Sequence, residues 1–248
     1  MKYILARANR DVLRQFACSR VLLAFDYDGT LAPIVPAPEQ AAMRPETRAL
    51  LEALARRFAC VVISGRARVD AIRRLRGVEA VEVIGNHGIE PWQTSPRGLL
   101  VVRRWRDRLE RQLSPFTGVA VEDKVHSLAV HYRRSREKKK ARAAILRAAA
   151  ALGDVRLIRG KQVVNLLPTD APHKGIALER ARARFGCDTA IYVGDDDTDE
   201  DAFGSGRSDR LLSIRVGASG TSRARYHLQG QADIDRFLQT LLALRQGK

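Results

Sequence analysis

In the stretch "VLLAFDYDGTLAPI", a run of five apolar residues ends abruptly in two aspartates one residue apart, Asp26 and Asp28. Side chains two apart on an extended chain point to the same side, so both can face one pocket. Two carboxylates that close repel unless they share a proton or a cation. A second acidic run, Asp195, Asp196, Asp197, Asp199, Glu200 and Asp201, follows another apolar stretch, and hard oxygen ligands gathered from separate strands suit Mg²⁺. A cation accounts for the charge but not for two aspartates where one ligand would serve. A division of labour does: Asp26 attacks a phosphorus atom, while Asp28 protonates the departing alkoxide and later takes a proton from water. Phosphoryl oxygens then need donors. Ser64, in "SGR", offers a hydroxyl and nearby backbone N–H groups, and Lys174, at the start of the "HKGIAL" helix, offers a positive charge beside helix-terminal donors. The acidic run has a blander reading as a helix amino terminus, open for Glu200 and Asp201. A calcium loop is excluded, because its sixth and twelfth positions, which need Gly and Glu, are Glu200 and Gly206.

These residues need elements to position them. Short apolar runs rich in Val and Ile, each broken by polar or glycine residues, recur in "VLLAFDYDG", "CVVISGR", "VEVIGNHG", "AIYVGDDDTDED" and "LLSIRVG", the pattern of strands buried on both faces. Between and after them lie helical stripes: Leu50, Leu51, Leu54 and Phe58 behind Pro45; Ile176, Leu178, Ala181 and Phe185; and Ile234, Phe237, Leu238, Leu241 and Leu242. Alternating strands and helices predict an α/β fold with a doubly wound parallel sheet, whose ligands sit outside the carboxyl ends of the strands. The middle reads as αββαββ: Trp105, Leu109 and Leu113 mark a helix face, "VAVEDKVHSLAVHYR" and "VRLIRGKQVVNLLP" alternate like strand pairs, and "EKKKARAAILRAAAAL" is helical. The prediction is a parallel core from residues 1–96 and 169–248 with an inserted α/β domain over 97–168.

With 248 residues, 45% of them hydrophobic, the chain can bury a substantial core. Its net charge of +16 is regional, since residues 97–164 hold 18 Lys and Arg against 6 Asp and Glu. Such a field attracts small anions or nucleic acid. The densest cluster, "RRSREKKKAR", has no interleaved aromatic side chains to stack on bases, which favours a solvated helix face. Cys18, Cys60 and Cys187 lack metal-ligand spacing and read as reduced thiols. "MKYILARANRD" lacks the core of a signal peptide, and no run reaches the ~20 apolar residues of a membrane span. A cytoplasmic monomer is the expectation. His87, in "GNHG", reads as a hinge or pocket-wall residue, and His126 and His131 as lying on opposite faces of one strand.

Four clusters in order at strand ends, "DYDGT", "SGR", "HKG" and "GDDDTD", resemble the haloacid dehalogenase superfamily of magnesium-dependent phosphohydrolases. Over nearly the whole chain, through "FDYDGTLAPI", "GNHGIE", "VEDK", "SLAVHYR", "GKQVV", "HKGIAL", "GDDDTDEDAF" and "TSRARYHL", the sequence is similar to the trehalose-6-phosphate phosphatases, which carry an inserted α/β cap. The resemblance implies Asp26 as nucleophile and magnesium ligand, Asp28 as acid/base giving the metal its backbone carbonyl, Asp195 as a further ligand and Asp199 as support for the metal shell. It implies that Ser64 and Lys174 hold the phosphoryl group, that Glu122 and Lys124 contact sugar hydroxyls, and that Arg133 and Lys161 face the substrate. Arg66 and Asn165 join them as expected substrate-binding residues. The chain departs from the family where Asn165 and Leu167 stand in place of a glutamate and an arginine. Asparagine donates as well as accepts hydrogen bonds but has no charge, so the sugar preferred could differ. Val125 and His126 likewise replace the small residue usual after "VEDK". Phosphatases of sucrose, glucosylglycerol or mannosylglycerate phosphates, and a nucleic-acid-binding module, are the alternatives.

Overall fold

A computed structural model describes residues 1–92, 96–160 and 162–246, and the chain divides into two units, Met1–Gly88 with Pro172–Lys248, and Ile89–Ala171. The joints thus fall at residues 88/89 and 171/172, where the sequence reading put them near 96 and 169.

The first unit is built on a seven-stranded sheet made of β1 (Lys2–Tyr3), β2 (Val21–Phe25), β3 (Ala59–Ile63), β4 (Val81–Ile84), β9 (Thr189–Gly194), β10 (Leu211–Val216) and β11 (Tyr226–Leu228). Their order is β1-β11-β10-β9-β2-β3-β4, and every neighbouring pair is parallel. All five residues of β2 are buried, as a strand covered on both faces requires. Val21, Leu23 and Phe25 belong to one cluster with residues of α1 (Arg10–Ala17), α2 (Pro45–Ala55), α3 (Arg68–Arg74) and α8 (Asp233–Gln246). Leu22 and Ala24 alternate to the other side, and α6 (Lys174–Arg184) packs on β2 and β3. Pro45 occupies the first turn of α2, where its missing N–H is not needed. Between α2 and α8, Thr47 Oγ1 donates to Asp235 Oδ1 at 2.5 Å, and Arg44 pairs with the same carboxylate.

Two helical stripes differ from expectation. The helix α2 stops at Ala55, yet Phe58 still packs in the same cluster from the following turn. Ile176 of α6 and Phe185 just after it are exposed, and the buried face of the helix is Lys174, Gly175, Ala177, Leu178 and Ala181. The cause is space: a Cβ on Gly175 would lie 2.3 Å from the carbonyl oxygen of Asp201, before the short α7 (Glu200–Phe203) ends. Small residues and one long cation fit there, not a row of large apolar side chains.

The second unit is a four-stranded antiparallel sheet, β5 (Ala120–Asp123), β6 (Leu128–His131), β7 (Val155–Gly160) and β8 (Val163–Pro168), in the order β5-β6-β8-β7. Two helices, α4 (Pro96–Leu113) and α5 (Lys138–Ala150), complete the αββαββ order. Val102, Trp105, Leu109 and Leu113 of α4 meet Leu128, Val130, Val164 and Leu166 of the sheet in one core. The alternate residues lie on the other face. Glu122 pairs with Ala129, and Ala129 with Asn165, so Glu122 and Asn165 share one cross-strand row on that face. Residues 124–127 form a turn between β5 and β6, with Val125 at φ +71°, so His126 lies outside the strand that His131 ends. Among the described residues, no helix is long and apolar enough to cross a membrane.

Candidate active site

The carboxyl end of β2 places Asp26. Its N–H donates to the Val193 carbonyl at 2.9 Å, continuing the ladder with β9 one residue beyond the strand. The chain then turns back, with Gly29 N–H donating to Ala32 O and Ala32 N–H to Tyr27 O, both at 2.8 Å. Gly29 sits at φ +83°, and a Cβ there would fall 2.1 Å from Asp195 Oδ2. Only glycine fits both demands, and its absence of a side chain lets the loop after β2 meet the loop after β9.

From the opposite face of the sheet, α6 delivers Lys174 in its first turn, 2% exposed, capped by His173, whose Nδ1 accepts from Gly175 N–H at 3.2 Å. Lys174 Nζ lies 3.1 Å from Asp26 Oδ1 and 2.7 Å from Asp199 Oδ1. Asp199 is fully buried and accepts from four donors: Lys174 and Tyr192 Oη on one oxygen, and the N–H groups of Asp195 and Asp196 on the other. Each oxygen already has two partners, so Asp199 is an anchor for the loop and for Lys174. Asp196 instead caps the turn at 197–199, accepting from Thr198 N–H and Oγ1, a helix-terminus role that the sequence reading offers to Glu200 and Asp201. Glu200 accepts from Arg215 Nη1 and from the Arg223 N–H.

Asp26, Asp195 and Asp199 each present an oxygen, all within 4.8 Å of one another. Asp195 Oδ1 is buried with no hydrogen-bond partner. Burial pushes the Asp26 carboxyl well above the usual carboxylate range; Lys174 draws it back, and Asp199, Asp195 and Asp196 push it further up. Asp195 is raised to about 8 by burial and then by Asp199 and Asp196. Burial works against the Lys174 ammonium, but Asp199 and Asp26 overcome it and hold the group protonated. When all three carboxyls are ionised they outnumber the one ammonium by two, and that repulsion is part of what raises Asp26 and Asp195. An orphaned oxygen among hard oxygen donors and an excess of two negative charges both fit a divalent cation such as Mg²⁺.

Ser64 follows β3, with its N–H on the Ile84 carbonyl and its Oγ accepting from Arg66 N–H at 3.1 Å. Arg66 does not stand open as a substrate cation: Nε and Nη2 each donate to Asp28 at 2.6 Å, and Nη1 donates to Asp70 at 2.7 Å. His87, at φ +59°, is buried against Gly65, and its N–H donates to Ser64 O, so it shapes the "SGR" loop from behind. The structure therefore brings together Asp26, Asp28, Ser64, Arg66, Lys174, Asp195 and Asp199 in the first unit. Glu122, Lys124, Arg133 and Asn165 belong to the second unit, where His131 Nε2 is 2.7 Å from Glu122 Oε2. Lys161 lies outside the described residues. Tyr192 and Asp70 were missed. Tyr192 has no sequence signal beyond its strand, whereas Asp70 stands four residues after Arg66, the spacing of a helical ion pair.

A parallel sheet with paired aspartates after an interior strand, a buried lysine and acidic residues at the neighbouring strand end, interrupted by an α/β unit, defines the haloacid dehalogenase-like phosphatase class. Within that class the chain belongs to the trehalose-phosphatase family, which matches residues 24–232. A trehalose-phosphate phosphatase of Mycobacterium avium is 36% identical over 209 residues, covering 77% of this chain and 53% of the relative. A probable trehalose-phosphate phosphatase D of Arabidopsis thaliana is 29% identical over 255 residues, covering 92% and 68%. The chain thus spans about half the length of the mycobacterial relative. The crystal structure of a trehalose-6-phosphate phosphatase related protein superposes with a TM-score of 0.74 at 28% identity, covering 92% of this chain and all of that one.

Proposed function

We propose that the chain is a cytoplasmic, Mg²⁺-dependent phosphatase that hydrolyses trehalose 6-phosphate to trehalose and phosphate through an aspartyl phosphate on Asp26. The observation that carries this reading is the Asp26 carboxylate, held 3.1 Å from the buried Lys174 ammonium with Asp195 close by and Asp28 two residues on. Asp26 and Asp195, with the Asp28 carbonyl, would hold Mg²⁺, while Asp199 fixes their loop. When bound, the metal neutralises charge on the carboxylates and on the phosphoryl oxygens.

In the first half-reaction an Asp26 oxygen bonds to phosphorus as the bond to the sugar oxygen breaks, and Asp28 gives that oxygen its proton. Lys174 and the Ser64 hydroxyl and backbone donors hold the phosphoryl oxygens. In the second, water attacks the same phosphorus, its proton passes to Asp28, and Asp26 leaves as a carboxylate with phosphate released. The inserted unit serves as the cap. The sheet face that carries Glu122, Asn165 and His131 would supply the sugar contacts, with Lys124, Arg133 and Lys161. Remote sugar contacts then favour the right substrate in the transition state. A second reading, a phosphatase of another sugar phosphate, draws on Asn165, whose amide replaces a charge in the Glu122 row.

The test is phosphate release, with and without Mg²⁺, from trehalose 6-phosphate, sucrose 6-phosphate, glucose 6-phosphate and glucosylglycerol phosphate, with Asp26→Asn as control. Trehalose 6-phosphate is expected to be preferred, with Asp26→Asn lowering kcat by ~10³-fold or more. Preference for another ester would move the substrate and keep the chemistry, and Mg²⁺-independent release unaffected at Asp26 would overturn both.

A further inference from the structure

Asp28 takes both of its charge-assisted bonds from Arg66, yet its own side chain is 39% exposed, so the guanidinium decides where the carboxyl points. What fixes the guanidinium is a series of groups running away from the site. Arg66 Nη1 donates to Asp70 Oδ2 at 2.7 Å, and Arg74 Nε donates to the same oxygen at 3.1 Å. Arg74 is itself tethered, through Nη1 to the Ala41 carbonyl at 2.6 Å, while Arg48 of α2 donates to the Arg74 carbonyl at 3.0 Å. The Arg66 guanidinium also lies 5.7 Å from the centre of the Tyr27 ring, between the two catalytic aspartates in sequence. Burial would raise the Asp70 carboxyl, but the two guanidinium groups hold it below the usual range, so it stays charged. Arg66 can hold Asp28 in one orientation only if its own far end is anchored, and Asp70 anchors it.

We propose that Asp70 is a positioning residue which, by holding Arg66 from the far side, aims the Asp28 carboxyl at the leaving-group oxygen. This rests on the reading of Asp28 as the acid of a phosphatase. A positioning role for a proton donor has a particular signature. An alkoxide leaving from a sugar phosphate needs a proton as its bond to phosphorus breaks, whereas p-nitrophenolate departs without one. General damage to the pocket would slow both esters alike.

The experiment compares kcat/KM for trehalose 6-phosphate and p-nitrophenyl phosphate, with Mg²⁺, in the unsubstituted chain, Asp70→Asn and Asp70→Glu. Asp70→Asn conserves size, and its side chain is 36% exposed, so folding is checked simply by its melting temperature. The expected result is a loss of ~10- to 100-fold on the sugar ester, part of the ~10²- to 10⁴-fold that acid catalysis supplies, with a loss below about 3-fold on the aryl ester. Asp70→Glu, which restores the charge, should recover part of the loss on the sugar ester. Equal losses on both esters, or none on either, would overturn the inference alone. If the unsubstituted chain releases no phosphate from either ester in an Asp26-dependent way, the phosphatase reading falls and this role falls with it.

Discussion

At Asp195 burial, followed by the Asp199 and Asp196 carboxylates, outweighs the pull of Lys174 and Arg215, and its carboxyl is raised to about 8. An unfolded aspartate titrates near ~4. Between those values the folded chain keeps a proton that the unfolded chain has released, so this group's contribution falls as pH rises from about 4 to about 8. The buried Asp26 acts in the same direction. A cation that takes the proton's place stabilises the fold most where the proton is scarce. Millimolar Mg²⁺ is therefore expected to raise the melting temperature more at pH 8 than at pH 5.5, and Asp195→Asn to remove most of that difference. An equal increment at both pH values would argue against a metal at these carboxylates. Asp26, Asp28, Ser64, Lys174 and Asp195 were legible because each follows an apolar run or opens a helix, and strand ends are where α/β sheets gather ligands. The four-way anchoring by Asp199 was not legible. It depends on Tyr192 and Lys174 arriving from other elements, and no spacing within "GDDDTD" encodes that.

Among the elements, the strands of the parallel sheet were readable because burial on both faces leaves continuous apolar runs, as in β2 and β9. The helix α8 was equally plain, with Ile234, Phe237, Leu238 and Leu241 all buried. The α6 stripe misled, since its packed face was chosen for closeness rather than hydrophobicity: Gly175 admits the Asp201 carbonyl, and Lys174 is the buried residue the site requires. The two-residue β1 and three-residue β11 carry too little pattern to announce themselves, and their pairing is fixed by the neighbour each finds at the sheet edge. In the inserted unit the pattern of alternation ran through residues 124–127, where the chain turns. Nothing in "VEDKVHS" except the charged pair marks that reversal.

At the scale of the molecule, charge is concentrated in the inserted region, with a net charge of +12 over residues 97–164. Lys138, Lys139 and Lys140 begin α5, the end of a helix that disfavours cations. A long-range role would explain their tolerance there, by raising the encounter rate with a phosphorylated sugar. Replacing all three by Gln is expected to leave kcat nearly unchanged while flattening the fall of kcat/KM with ionic strength. An unchanged salt dependence would leave the lysines as a solvated helix face.

The insertion also sets a timetable. Ile89–Ala171 is one continuous stretch of chain, and all of its strand pairings lie within it. Strand β2 of the other sheet must wait for one of its partners, because Val21 finds Thr189 only about 170 residues later, a separation of the kind that slows folding. During synthesis the guest is therefore expected to fold before its host. A chain truncated after Ala171 should resist limited proteolysis across 97–168 and be cut in 21–63; protection of both would refute this order. Asp26 and Asp195 flank the seam between β2 and β9, so a ribosome that has made β2 and the whole inserted unit still holds a reactive centre with one wall missing.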